Sequence, residues 1–173
     1  MKENEIPTLY KNYFIDKNDE RREMFEKINN LYKPNKGIYP GSFVHITASF
    51  YIKDMTYIDS DKRINNFFNS PELLPFIEAN KIYDDKVKIN GIQSDYANSL
   101  PIEKKSFDVM FSFYAGFISL TCKKYLKEGA ILICNNSHGD SSLAKTDNDY
   151  NLIGVIKRNG NKFAISDKNL ELD

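Results

Sequence analysis

Three residues of the sequence have the types and spacing of a nucleoside-binding site. Gly41, Asp59 and Asp95 each come shortly after a short apolar segment, where a buried strand would end. A glycine lets the backbone approach a ligand closely, and a carboxylate roughly 20 residues further on can accept hydrogen bonds from both ribose hydroxyls. Asp59 stands 18 residues after Gly41. The spacing therefore favours a nucleoside site at one edge of a sheet.

Each of these residues also has an ordinary structural explanation. Glycine is common in turns, and Asp95 could cap a loop. Asp59 or Asp61 could cap a helix that begins at Lys62. Only the joint placement favours a ligand site. We expect His45 to be a packing or surface residue, and the histidine spacing does not indicate a metal site.

The composition is that of a folded protein and argues against several functional classes. The 173 residues suit one domain. The 24 basic and 24 acidic residues argue against a nucleic-acid coat but leave room for a local basic patch. No apolar run approaches the roughly 20 residues of a membrane span, and the polar N-terminus does not look like a secretory signal. We expect a cytoplasmic location and two buried cysteines, and the oligomeric state stays open.

Apolar periodicity predicts strands that alternate with helices. Strands are predicted at 37–40, 55–58, 87–92, 107–113, 130–134, 152–156 and 162–165, and helices at 19–32, 62–68, 71–80 and 117–126. This pattern predicts an α/β, three-layer, Rossmann-like fold with a mostly parallel seven-stranded sheet. Asn159-Gly160 predicts an antiparallel C-terminal hairpin. We expect a single domain over 1–173, with a lead-in and helix over 1–35 and a core over 36–166.

Motifs in segment 36–165 resemble the class I S-adenosylmethionine-dependent methyltransferase family. They are Tyr39-Pro40-Gly41-Ser42, Tyr57-Ile58-Asp59-Ser60-Asp61, Ser94-Asp95-Tyr96 followed by Leu100-Pro101, Phe107-Asp108-Val109-Met110-Phe111-Ser112, and Tyr125-Leu126-Lys127-Glu128-Gly129. The resemblance implies S-adenosylmethionine as cofactor, with Asp59 on its ribose. It implies this set of cofactor-binding residues: Tyr39, Pro40, Gly41, Ser42, Asp59, Asp95, Tyr96 and Ser112.

The resemblance further implies methyl transfer, and the short length of the chain favours an acceptor that is a small molecule or is delivered by a partner protein. Such a displacement depends mainly on holding nucleophile and methyl group in line. His138 and Asp140 are the candidates for removing an acceptor proton.

Two alternatives to an active methyltransferase remain open. One is a non-catalytic binding or scaffolding module with the same fold, because the loop has a single glycine and a Pro40 where the family has several glycines. The other is a domain that binds NAD, against which the missing GxGxxG pattern counts.

Overall fold

The computed structural model describes residues 6–168, in which helices and strands alternate along most of the chain. The strands are β1 (Lys36–Pro40), β2 (Asp54–Asp59), β3 (Lys88–Gln93), β4 (Phe107–Ser112), β5 (Leu126–Cys134), β6 (Val155–Asn159) and β7 (Lys162–Ser166). The α-helices are α1 (Thr8–Tyr10), α2 (Arg22–Tyr32), α3 (Arg63–Phe68), α4 (Leu73–Asn80), α5 (Ile118–Thr121) and α6 (Asp140–Thr146). A π-helical turn covers Lys11–Ile15, and 3₁₀ turns cover Ile46–Phe50, Lys123–Tyr125 and Ser137–Gly139.

Five strands form a parallel sheet in the order β3-β2-β1-β4-β5. The central strand β1 pairs with β2 on one side and β4 on the other, with Tyr39 opposite Tyr57 and Ile38 opposite Met110. Every ladder of this sheet is parallel. The carboxyl ends of all five strands therefore lie along one edge, which confirms the predicted α/β class.

The prediction of a seven-stranded sheet is wrong. β6 and β7 pair only with each other, as an antiparallel two-stranded sheet. The hairpin packs against α2: Lys27 Nζ donates to the Phe163 carbonyl at 2.6 Å, and the Phe163 N–H donates to Glu23 Oε2 at 3.2 Å. Burial of the Phe163 ring on this helix holds the hairpin away from the sheet. An apolar strand pattern predicts the hairpin but not the surface on which it docks.

Apolar side chains cover both faces of the parallel sheet. The larger core includes Phe25, Tyr39 and Tyr57, and the smaller one includes Ile38 and Met110. Ile38 and Tyr39 are neighbours in β1 but belong to opposite cores, because successive side chains of a strand point to opposite faces. This alternation decides which strand-end residues can reach the functional edge.

The N-terminal segment differs from the expected surface lead-in. Residues 8–15 are helical, and Tyr10 is fully buried, with its hydroxyl at 2.8 Å from both Glu20 Oε1 and Thr47 Oγ1. Helix α2 begins at Arg22 rather than near residue 19, because Arg21 adopts a left-handed conformation with φ 55°. Residues 1–5 of the predicted lead-in lie outside the described residues.

The helix predicted at 117–126 is shorter in the structure. It ends at Thr121, because Leu126 already pairs with Phe107 as the first residue of β5. Gly129 is therefore a residue of β5 and not the end of a helix, although its φ is positive.

Residues 135–139, after β5, lead directly into helix α6, which the sequence patterns did not indicate. No helix of the described residues has the length and apolar character required to span a bilayer.

Candidate functional site

A cavity of about 300 Å³ opens at the carboxyl end of the parallel sheet. Its lining residues are Gly41, Asp59, Ser60, Asp95, Tyr96, Tyr114 and Ala115. They come from the segments that follow β1, β2, β3 and β4. The structure thus brings Gly41, Asp59 and Asp95 to one cavity, at the lower end of the volumes usual for ligand pockets.

Gly41 lies in the loop that follows β1 (the β1 loop) and packs against Ala115 in the loop that follows β4 (the β4 loop). Its φ of +67° favours glycine, and its N–H donates to the Ile58 carbonyl at 2.7 Å. A Cβ at this position would collide with the Ala115 Cβ. Glycine is therefore required here for the backbone conformation and for the close approach of the β4 loop, whatever the cavity binds.

Asp59 is the carboxylate best placed to receive a hydroxyl. Its Oδ2 accepts the Phe43 N–H at 2.8 Å, and its Oδ1 accepts the Asp61 N–H at 2.9 Å. Each carboxylate oxygen has capacity for a further hydrogen bond. The two backbone donors fix the orientation of a half-buried acceptor that also lines the cavity.

Asp95 and Tyr96 form the side of the cavity that follows β3. Asp95 Oδ1 accepts the Ala97 N–H at 2.9 Å, so the loop is an Asx turn. The Tyr96 hydroxyl donates to the Ala115 carbonyl, and partial burial raises the pKa of this phenol. A Cβ at Gly116 would lie 2.7 Å from the same hydroxyl oxygen. Tyr96 therefore holds the β4 loop in place.

Tyr114 is an exposed aromatic residue on the rim of the cavity. Its ring is 64% exposed, and the Arg21 guanidinium lies 5.3 Å from the ring centroid. Arg21 also lies over the buried Phe113 ring at 5.0 Å and pairs with Asp19 at 2.8 Å. The buried Arg21 guanidinium therefore packs against the rings of both Phe113 and Tyr114.

Three residues at the carboxyl end of the sheet have strained backbone conformations. Phe43, Tyr114 and His138 all have left-handed backbone conformations, with φ of 47°, 61° and 59°. They follow β1, β4 and β5 at the same end of the sheet. Left-handed bulky residues cost roughly 1–2 kcal/mol each, and such strain is often found at binding sites.

Three of the predicted cofactor-binding residues in the β1 segment do not line the cavity. Tyr39 is buried, and its hydroxyl donates to His45 Nδ1 at 3.0 Å. Pro40 is buried inside β1, and the buried Ser42 Oγ donates to the Phe43 carbonyl at 3.2 Å. Strand alternation turns Tyr39 into the larger core, so this segment contributes only Gly41.

Ser112, the predicted residue at the end of β4, contacts a buried carboxylate instead of the cavity. Its hydroxyl donates to Asp140 Oδ2 at 2.5 Å, and the Ser119 N–H donates to Asp140 Oδ1 at 3.0 Å. Asp140 is 1% exposed and joins β4, α5 and α6. His138 is exposed, and its Nδ1 contacts the Ser137 hydroxyl at 3.0 Å. The structure describes no contact between His138 and Asp140.

His45 is a packing residue, one of the two roles expected for it. It is 1% exposed, and its ring stacks on Phe14 at a centroid distance of 4.2 Å. Burial, aided by the nearby Arg21 charge, lowers the pKa of His45 to about 3. The neutral ring donates from Nε2 to the Glu20 carbonyl at 3.1 Å and accepts the Tyr39 hydroxyl at Nδ1.

Sequence reasoning did not identify two cavity residues, Ser60 and Ala115, because their types carry no chemical signal. Their position beside Asp59 and Gly41 depends on strand register. Within residues 6–168, no group of three His, Cys, Asp or Glu side chains could hold a metal ion.

The sequence matches no protein-family model and no curated protein. Among solved structures, it is similar to the YcgJ protein from Bacillus subtilis, at 16% identity and a TM-score of 0.46, over 66% of this chain and 49% of that one. A candidate methyltransferase from Bacillus halodurans is 17% identical with a TM-score of 0.46, over 65% and 49%. A candidate S-adenosylmethionine-dependent methyltransferase from Methanococcus maripaludis is 20% identical with a TM-score of 0.49, over 79% and 65%. The chain spans about half the length of the first two structures.

The fold assignment rests on the topology of the chain itself. Its parallel order β3-β2-β1-β4-β5 places the glycine loop after the central strand and the acid after its neighbour. This is the order of the first five strands in Rossmann-type sheets, and an antiparallel hairpin follows it in the sequence. The chain has a Rossmann-type α/β fold, in which the closing hairpin stands apart from the main sheet.

Proposed function

We propose that this chain is an S-adenosylmethionine-binding, methyltransferase-like protein whose cofactor occupies the cavity at the carboxyl end of the sheet. The observation that carries the proposal is the convergence of Gly41, Asp59 and Asp95 on one cavity. Asp59 ends β2, and Gly41 and Asp95 lie in the loops that follow β1 and β3, so each comes from a different parallel strand or its loop. Ligands of open α/β sheets bind at this end of the strands.

The cavity residues suit the parts of a nucleoside. Asp59 offers two fixed carboxylate oxygens to the ribose hydroxyls, and Asp95 and Tyr96 border the region for the base. The exposed Tyr114 ring presents a face that attracts a sulfonium cation. When bound, S-adenosylmethionine supplies an electrophilic methyl group.

The acceptor of the methyl group is a small molecule or is brought by a partner protein. The rim beside the cavity exposes two large aromatic side chains, Tyr114 at 64% and Phe117 at 53%. Such exposed rings suit contact with an acceptor that has an apolar part. His138 stands exposed after β5 as the candidate base for an acceptor proton.

A second candidate function is a nucleoside-binding module without catalysis. The observation that favours it is the packing of Ala115 against Gly41, which closes the space beside the only glycine of the β1 loop. The cavity of about 300 Å³ is also small for a ligand that carries a complete amino-acid tail. In this case the site would bind adenosine as well as it binds the full cofactor.

Calorimetry tests both functions. S-adenosylhomocysteine, S-adenosylmethionine and adenosine are titrated into the full chain, and we expect the first two to bind more tightly than adenosine. Equal affinity for all three favours the non-catalytic module. No heat and no shift in melting temperature at millimolar ligand contradicts both proposals.

The variant Asp59→Asn tests the assigned ribose contact. It keeps the size of the side chain but removes the charge, so we expect S-adenosylhomocysteine affinity to fall at least ~10-fold. Asp61→Asn is the matched control: its carboxylate lies two residues away and pairs with Arg63 at 2.6 Å. Equal losses in the two variants would contradict the assignment of Asp59.

A further inference from the structure

The amino end of the sheet carries a second cavity, of about 330 Å³. Its lining residues are Asn35, Lys36, Lys53, Asp54, Asp85, Lys86 and Lys88. Four lysines thus face two carboxylates in a space built from the segments that precede β1, β2 and β3. The proposed nucleotide chemistry of the opposite end does not use any of these residues.

The lysines continue along the whole amino end of the sheet. The segments that lead into the five strands are 33–36, 51–54, 81–88, 103–108 and 124–128, and together they contain ten lysines and six acidic residues. We call this surface the lysine face; its lysines are Lys33, Lys36, Lys53, Lys81, Lys86, Lys88, Lys104, Lys105, Lys124 and Lys127. The rest of the neutral chain therefore holds 14 basic and 18 acidic residues.

Several cations of the lysine face are free to bind a ligand. Lys86, Lys88, Lys104 and Lys105 are exposed and form no ion pair within residues 6–168. By contrast, Lys53 pairs with a carboxylate, that of Asp85, at 2.8 Å. The free cations repel one another, and this repulsion is relieved when an anion binds.

The backbone holds these segments in fixed positions. The Lys88 N–H donates to the Lys53 carbonyl at 2.8 Å, and the Lys105 N–H donates to the Lys124 carbonyl at 3.0 Å. Five strands at the usual spacing span about 19 Å. A small anion cannot reach lysines at both ends of this span, so the charge distribution suits an extended polyanion.

The remaining side chains of the lysine face indicate which polyanion it suits. Within the described residues, the exposed large aromatic side chains are Tyr13, Tyr114 and Phe117, and none belongs to this face. Single strands are bound by stacking their bases on aromatic rings, which the face does not offer. Its exposed large apolar residue is Ile82, too little for insertion into a bilayer. Lysines without exposed aromatic neighbours suit a duplex, because a duplex presents its phosphate backbone on the outside.

We propose that the lysine face binds the phosphate backbone of double-stranded nucleic acid, without sequence specificity. A duplex carries one charge per roughly 1.7 Å of its axis, so a 19 Å stretch, about the width of the sheet, offers about ten phosphates. The cavity beside Lys86 and Lys88 receives a phosphate group of this backbone. This binding is independent of the cofactor proposed for the opposite end.

Fluorescence anisotropy with the full chain tests the proposal. Labelled mixed-sequence DNA and RNA duplexes of about 20 base pairs are titrated at salt concentrations from ~50 to ~200 mM. We expect binding that weakens steeply with salt. In the double variant Lys86→Gln/Lys88→Gln we expect affinity to fall at least ~10-fold at 0.1 M salt and the salt slope to fall by about 2.

A matched control removes two exposed lysines from the opposite end of the sheet. Lys17→Gln/Lys62→Gln changes the net charge by the same amount, and we expect it to leave duplex affinity within ~2-fold. Three results would overturn the proposal: no duplex binding at ~50 mM salt, an equal loss in both double variants, or tighter binding to single strands. Preferential binding to phosphatidylserine vesicles would also overturn it, and would identify a membrane surface instead.

Discussion

The two ends of the parallel sheet differ in shape and charge although one set of strands supports both. At the carboxyl end, Asp59, Asp95 and the left-handed Tyr114 line an open cavity. At the amino end, lysines from five segments form a cationic face. A parallel sheet gathers all its preceding segments at one edge and all its following segments at the other. A chain with no net charge can therefore present two electrostatically distinct ends.

One carboxylate at each end has the same structural task. Asp59 accepts two backbone N–H groups beside the cavity, and Asp108 Oδ2 accepts the N–H groups of Asn35 and Lys36 at 3.0 and 2.9 Å. Asp108 also pairs with Lys127 at 2.6 Å. Partial burial raises the pKa of Asp108, but Lys127 and the backbone donors outweigh it and lower the pKa overall. Of these two carboxylates, only Asp59 lines a cavity, where a ligand can donate further hydrogen bonds to its oxygens.

The largest expected contrast is between Gly41 and Gly129, glycines with positive φ at opposite ends of the sheet. We expect Gly41→Ala to lower the free energy of unfolding by about 2–5 kcal/mol, because left-handed strain adds to the clash with Ala115. Gly129→Ala meets no atom within 4 Å, so only the strain of about 1–2 kcal/mol applies. Urea unfolding measures both. Equal losses would show that the β4 loop moves aside, and that the contact with Gly41 does not determine the shape of the cavity.

The second contrast is between the two histidines: His138 is exposed, whereas His45 is buried and makes the stability of the chain depend on pH. His45 has a pKa of about 3 in the folded chain and about 6.5 when unfolded. Between these values the unfolded state binds more protons, so stability is retained above pH 6.5 and lost as the pH falls. At pH 5 the loss is about 2 kcal/mol. Urea unfolding at pH 7 and pH 5 measures it.

NMR of the histidine rings provides the control for this pH effect. Between pH 7 and pH 5, the His45 ring signals should stay unchanged in the folded protein, because the ring stays neutral. A His45 ring that titrates near pH 6.5 while the protein stays folded would contradict the buried packing role.

The smallest stability effect is expected from the two carboxylates that accept backbone N–H groups. Asp59→Asn and Asp108→Asn should each lower the free energy of unfolding by about 1–2 kcal/mol, because a charged acceptor becomes neutral. Their effects on ligand binding should differ, because only Asp59→Asn should lower the affinity for S-adenosylhomocysteine. Urea unfolding measures the stability of both variants, and calorimetry measures their affinity for S-adenosylhomocysteine. Loss of ligand binding in Asp108→Asn would mean that the amino end influences the cavity.

The residue types and spacing were sufficient to predict the class of the fold and the edge at which Gly41, Asp59 and Asp95 meet. Continuous apolar segments such as β4 predict buried parallel strands, and the residues just beyond such strands must lie at one edge. Gly41, Asp59 and Asp95 follow from this argument. Asn159-Gly160 likewise predicted the terminal hairpin, because this turn matches the twist of paired strands.

The tertiary structure alone decided which strand-end side chains reach the cavity and which pack elsewhere. Tyr39 and Ser112 have suitable types and positions, but strand alternation and the Asp140 carboxylate direct them into the interior. Ala115 lines the cavity because the loop after β4 packs against Gly41, a contact between residues far apart in sequence. The docking of the hairpin on α2 and the gathering of lysines from five segments also depend on contacts between residues far apart in sequence. Local patterns determine the elements, whereas register and packing between elements determine which of their ends meet.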